Sequence, residues 1–379
     1  MKTLKGSVLL LGVLAMAGFA TAAGDTADHR AWQHGIDLIS VGNRLLVVWG
    51  SPGNPPKPNV GGDWQHDVYF SWLDGEAAQV APQVLVSKPE AQEPPSTAIN
   101  AKGTILMTTE DGNGGINQQA GLWDSSLRVV KKYPMLIRRG GHSGHVAAMG
   151  NRFLVTYGEG WVDGGGFMGR GTSKDVLARI VEDDGTLRRE VKLTEDGPGR
   201  RDGWPLVAGS DRNWLVVWQR YPELSLQAAL IDGTGAVAAR RRIIDGLPLR
   251  YAYDVGFAPQ LGRFVVAGSS GTGGFVSLVS LTGEVVTTRQ GLPPMASESR
   301  IVLGWDGMRL TGAYPVRPRG IAVVRIGADT VDLVKLVDHP YEWDYTGTTG
   351  VFTSPGRLLF ATLSKEGIKL VRVEMGELR

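Results

Sequence analysis

Two histidines three residues apart, His142 and His145, enclose a Ser-Gly step and form the most chemically capable pair in the chain. Imidazoles at this spacing can ligate a metal or serve as an acid/base pair. Arg201 and Tyr251 fall in the corresponding segments of later repeats and complete a candidate catalytic set with them. A wider group suits binding: His66, Glu93, Asp202, Trp204, Arg250, Tyr253, Glu298, Arg300, Glu342, Trp343 and Asp344. Apolar rings cover sugar faces, while carboxylates and guanidinium groups bond hydroxyls or anionic substituents. Tyr, Trp and Arg also dominate protein interfaces, so a protein partner fits the same inventory. Taken singly, each of these residues is better explained by ion pairs across blades or wedges between neighbouring sheets, and it is their convergence on one rim that favours binding.

Other motifs fail on inspection. Asp111 to Asn117 starts like a calcium loop, but Leu122 stands in the twelfth position, where an EF-hand needs Glu. The Gly-rich run Gly268 to Gly274 joins two strands and lacks the helix that would hold a phosphate. No Gly-x-Ser-x-Gly or His-Glu-x-x-His pattern occurs. No cofactor and no metal is therefore expected. A formal charge of +2 over 379 residues gives no electrostatic case for nucleic acid.

These residues must be positioned by a repeat. A turn followed by an apolar strand recurs as NRLLVVW from Asn43, GTILMTT from Gly103, NRFLVTY from Asn151 and RNWLVVW from Arg212. It continues as GRFVVAG from Gly262, MRLTGAY from Met308 and GRLLFAT from Gly356, with a spacing of 46–61 residues. Each copy follows another apolar stretch and precedes a run of strict alternation, such as DVYFSWL from Asp67 or IAVVRIG from Ile321. Asp-Gly turns, as at Asp184-Gly185 and Asp232-Gly233, then lead into a fourth strand. Units of this length cannot bury their own apolar faces and must stack on neighbours. Four antiparallel strands repeated seven times predict an all-β fold, a seven-bladed β-propeller.

Two repeats are longer, with the excess at Ser51 to Gln65 and Gly158 to Ser173. Loops joining blades, and loops between the second and third strands, emerge on one face, so the candidate residues should converge there. The last unit ends after its third strand, and residues Asp25 to Trp32 are expected to close the ring by pairing with Ile368 to Val373.

The repeats resemble a group of bacterial exported propellers whose units carry a Leu-Val-Val-Trp strand, here Leu46-Val47-Val48-Trp49 and Leu215-Val216-Val217-Trp218. The resemblance covers the chain from about His34 and implies fold and export, with no particular chemistry. Lys2 and Lys5, the apolar run Val8 to Phe19 and Ala20-Thr21-Ala22 read as a secretory signal peptide over 1–22. Residues 23–379 then form one propeller domain, periplasmic or secreted, with no membrane span, and monomeric. The chain contains no cysteine, which excludes disulfides and thiolate sites. The function expected is non-catalytic binding of a glycan, an envelope component or a protein partner. The alternative is a carbohydrate-active enzyme, a lyase or hydrolase, working through the His/Arg/Tyr set.

Overall fold

The structure, a computed structural model, describes residues 35–53, 66–73, 81–89, 91–111, 116–160, 174–248, 251–343, 346–364 and 367–375. The signal-peptide segment, the proposed closing strand and most of both long insertions lie outside these residues.

The recurring motif becomes the second strand of each blade: Arg44–Ser51, Ile105–Asp111, Arg152–Glu159, Asn213–Tyr221, Arg263–Ser270, Leu310–Pro315 and Arg357–Ser364. This strand has a sheet neighbour on either edge and another blade against either face. It therefore reads as a continuous apolar run rather than an alternation. Leu46, Val47 and Val48 are all fully buried. The fourth strands lie at the rim and alternate instead, as in Val237–Asp245, where Arg240 and Arg242 are exposed and Arg241 between them is half-buried.

Each sheet runs in order from an inner strand to an outer one. The inner strands are Ile36–Val41, Gln92–Ile99, Gly141–Met149, Arg201–Gly209, Tyr253–Ala258, Val302–Trp305 and Thr348–Ser354. Seven apolar clusters fill the gaps between consecutive blades. The last of them packs Ile36, Val47 and Trp49 of blade 1 against Leu359, Ala361 and Leu363 of blade 7, so the ring is closed by core as well as by count. Among the described residues no helix is long and apolar enough to cross a membrane.

Blades 1 to 6 have four strands and blade 7 has three among the described residues, ending with Gly367–Glu374. An unpaired edge there would be a liability. Deleting residues 24–33 is accordingly expected to lower the melting temperature in a thermal unfolding scan; an unchanged value would refute closure by that segment.

The inner strands differ from expectation in one respect. Glu93, His142, His145, Arg201, Asp202 and Trp204, expected among the loops of one face, lie instead within inner strands that start early. The early-starting residues pair with the second strands of these blades through a bulge.

Candidate functional site

The bulge recurs at one repeat position in three consecutive blades. Pro94-Pro95 stand opposite Thr109 in blade 2, Ser143-Gly144 opposite Tyr157 in blade 3, and Trp204-Pro205 opposite Trp218 in blade 4. Two inner-strand residues facing one partner bend the strand and re-aim side chains. Ser143 and Trp204, the first bulge residues of blades 3 and 4, adopt φ values of 52° and 57°, the left-handed region. That conformation costs a non-glycine residue about 1–2 kcal/mol. The equivalent strands of blades 1, 5 and 6 pair with their second strands without interruption.

In blade 3 the bulge brings a carboxylate, an imidazole and a hydroxyl together. Ser143 Oγ lies 2.7 Å from His142 Nδ1. Glu110, from the second strand of blade 2, approaches His142 Nε2 at 3.5 Å and accepts the Ser143 backbone N–H at 2.8 Å. The step is held from beneath by Gln118, which donates to Thr108 Oγ1 and to the Thr109 carbonyl. Gly144 is required there, since a Cβ would collide with the Gln118 carboxamide.

Beside this cluster lies an aromatic one. His145 stands 6.1 Å from the Tyr251 ring, and Tyr251 stands 5.1 Å from Trp204 and 6.2 Å from Tyr253. The Tyr253 hydroxyl donates to the Trp204 carbonyl at 2.6 Å, propping the strained residue. Glu298, at φ 62°, donates its N–H to the Tyr251 carbonyl. The Tyr251 hydroxyl oxygen is buried and makes no well-formed hydrogen bond among the described residues. Burial pushes its pKa well above the ordinary tyrosine value, Tyr253 adds to this, and the nearby Ser143 hydroxyl opposes it. Tyr251 therefore stays an O–H donor. Blades 3 to 6 thus meet at one end of the axis.

A second constellation lines the inner strands further along. Asp37 of blade 1 and Asp254 of blade 5 occupy the same repeat position as His145. Asp37 accepts the Thr97 N–H of blade 2, and Asp254 accepts the Ile301 N–H of blade 6 at 2.9 Å. Arg300 donates to Asp254 at 3.0 Å and lies near enough to Asp37 for their charges to interact. Burial raises Asp254, and it raises Asp37 to about 6 even though Arg300 pulls it down.

Several expected binding residues are occupied elsewhere. Asp202, 1% exposed, accepts Arg220 Nε at 2.7 Å, Arg220 Nη2 at 3.1 Å and Trp218 Nε1 at 2.7 Å. His66 Nδ1 and a Glu93 carboxylate oxygen meet in the interior between blades 1 and 2. Trp343 is fully buried, its ring 5.3 Å from Phe360 and 4.7 Å from Tyr341. Arg201 faces Tyr221 across the strand pair, and Glu342 is exposed opposite Arg319. Arg250 and Asp344 lie outside the described residues. Among the described residues no group of three or more His, Cys, Asp or Glu is placed to hold a metal ion.

Glu110, Ser143, Asp37 and Asp254 were not nominated from sequence. Their signals were nonetheless present: lone carboxylates inside the apolar inner strands IDLISV and DVGFAP, and breakers Pro95, Gly144 and Pro205 at one repeat position. On the opposite face, a cleft of about 620 Å³ between blades 6 and 7 is lined by Trp305, Phe352, Arg357 and Glu374. Arg357 and Glu374 there bond one another at 3.2 Å.

No family model matches the chain. No curated protein matches it. Solved structures do. A chain of Kuenenia stuttgartiensis hydrazine synthase is 12% identical with a TM-score of 0.56, over 95% of this chain and 100% of that one. A chain from the structure of BBS1N in complex with ARL6DN is 9% identical with a TM-score of 0.55, over 92% and 94%. A chain of the mitotic checkpoint complex is 9% identical with a TM-score of 0.54, over 94% of each. At such identities the likeness establishes the propeller and carries no chemistry.

Proposed function

We propose that this chain is an exported bacterial propeller that binds a glycan at the axial end where blades 3 to 6 converge. The contact surface centres on His145, Trp204, Tyr251 and Glu298. The observation that carries the reading is the gathering of aromatic rings from blades 3, 4 and 5 around a buried Tyr251 hydroxyl held as a donor. Strained backbone at Ser143, Trp204 and Glu298 marks the same rim, and strain of this kind collects at ligand clamps. A sugar supplies an apolar face for the rings, hydroxyls that can donate to Glu298, and an oxygen that can accept from Tyr251.

The test is a glycan array followed by titration of the best binder. Trp204→Ala is expected to weaken its Kd about tenfold, the loss of one aromatic contact worth roughly 1.4 kcal/mol. An array without signal would shift the reading to an envelope protein as the partner. Retention of full affinity by Trp204→Ala would move the site away from this rim.

The lyase alternative draws on the contact between His145 and Tyr251. It requires acidic polysaccharides to yield new double bonds in an absorbance assay, with the signal lost in His145→Ala.

A further inference from the structure

We infer that Ser143 is a nucleophile: Glu110, His142, Ser143 and Tyr251 form a site for acyl transfer from a carboxylic ester. This goes beyond ligand binding at the same rim and stands or falls separately from it.

Four features carry the inference. Ser143 Oγ lies within hydrogen-bond distance of a ring nitrogen, His142 Nδ1, at 2.7 Å. In the tautomer that carries its proton on Nε2, the imidazole accepts from the hydroxyl, and its Nε2 stands 3.5 Å from Glu110, within reach of the carboxylate's charge. A hydroxyl activated by an adjacent base, itself oriented by a third group, is the general arrangement of an activated nucleophile. The serine also sits at φ 52° in a bulge, a left-handed position that glycine would fill without strain. The following residue is glycine, and the step is clamped by Glu110 on the Ser143 N–H and by Gln118 against Gly144. Finally, the Tyr251 hydroxyl is buried near the Ser143 hydroxyl and has no well-formed partner. Since the Ser143 N–H is taken by Glu110, Tyr251 is the donor left to receive a developing oxyanion.

The step balances without a further reagent. Ser143 Oγ bonds to the ester carbonyl carbon as its proton passes to His142 Nδ1, and the carbonyl oxygen takes the charge toward Tyr251. The ester C–O bond then breaks and the alcohol leaves with the proton from His142. Water, deprotonated by His142, cleaves the acyl-serine and restores the hydroxyl. Glu110 acts here as a positioning residue. Among the described residues, His145, Tyr251, Tyr253, Glu298 and Glu110 are titratable groups around this site.

The experiment treats the full mature chain with a small fluorophosphonate and reads the adduct by intact mass and peptide mapping. A single adduct on Ser143 is expected, forming faster as pH rises through one titration step. Ser143→Gly, which removes the hydroxyl and suits the backbone, is expected to abolish the adduct without lowering the melting temperature. His142→Asn is expected to slow labelling at least a hundredfold. Glu110→Gln is expected to slow it about tenfold and to move the titration midpoint down, because a carboxylate that favours the imidazolium has gone. Hydrolysis of p-nitrophenyl acetate should be lost in step with labelling. No adduct, an adduct on another residue, or a rate unchanged in His142→Asn would each overturn the assignment. Glycan binding that survives in Ser143→Gly while labelling is lost separates the two functions.

Discussion

Replacing Arg220 by alanine is expected to destabilise the propeller by about 3–5 kcal/mol, because it strands a charge in the interior. Asp202 is buried, and three of the donors that reach its carboxylate come from two residues of the neighbouring strand, Arg220 and Trp218. Burial already pushes its pKa up, with the Arg220 hydrogen bond and charge holding it down. Without the guanidinium the carboxyl must take up a proton or remain charged in an apolar surround. The sign with pH follows. In the variant the folded-state pKa of Asp202 rises further above its unfolded value, so the variant recovers stability as pH falls and loses most at alkaline pH. Denaturant unfolding at pH 8 and pH 5 would show a larger deficit at pH 8. The double change Asp202→Leu with Arg220→Met should cost much less than the two single changes added together. A loss below about 1 kcal/mol in Arg220→Ala would show that the pair contributes little to holding blade 4.

Replacing Asp37 by asparagine is expected to have the opposite effect. Burial lifts Asp37 to about 6 from an ordinary value near 3.8. The folded state therefore binds this proton more tightly than the unfolded chain does. Its ionised form costs stability above pH 6, and that cost fades as pH falls from 6 toward 4. A shift of roughly two units corresponds to about 3 kcal/mol. Asparagine keeps an acceptor for the Thr97 N–H and carries no charge. The variant should match the wild type near pH 3, below both pKa values, and exceed its stability by about 2–3 kcal/mol at pH 7.5. A difference between the two proteins that does not change with pH would sink the argument. Asp37 shares the inner strands with Asp254, and Arg300, in the segment before the inner strand of blade 6, interacts with both.

The blades were legible because burial on both faces writes an apolar run into every second strand. Leu46 to Trp49 and Leu215 to Trp218 could hardly be read otherwise. The site was legible only in part. His142 and His145 were read as a pair from their spacing, but the fold gives them different neighbours: Glu110 and Ser143 for one, Tyr251 for the other. Glu110 comes from the preceding blade, and no local pattern links it to a histidine more than thirty residues away. Trp343 and Asp202 look like surface recognition residues in the chain, yet one is a wedge beside Phe360 and the other half of a buried ion pair. Residue type gives the chemistry available, while register decides whether it faces ligand or core.

A ring of seven near-equal units has no front and no back around its axis. The three bulges give it one. They occupy consecutive blades and leave the inner strands of blades 1, 5 and 6 regularly paired with their neighbours. One arc of the rim is thereby reshaped and the facing arc is plain. The axial end is a lopsided collar with one distinguishable orientation rather than seven. Rotational symmetry, the natural outcome of duplicating a blade, has been broken by single residues at one repeated position. The same position is where the ring can be rewritten: grafting the Ser143-Gly144 step and its Gln118 support onto another pair of blades would move the front of the molecule without touching its core.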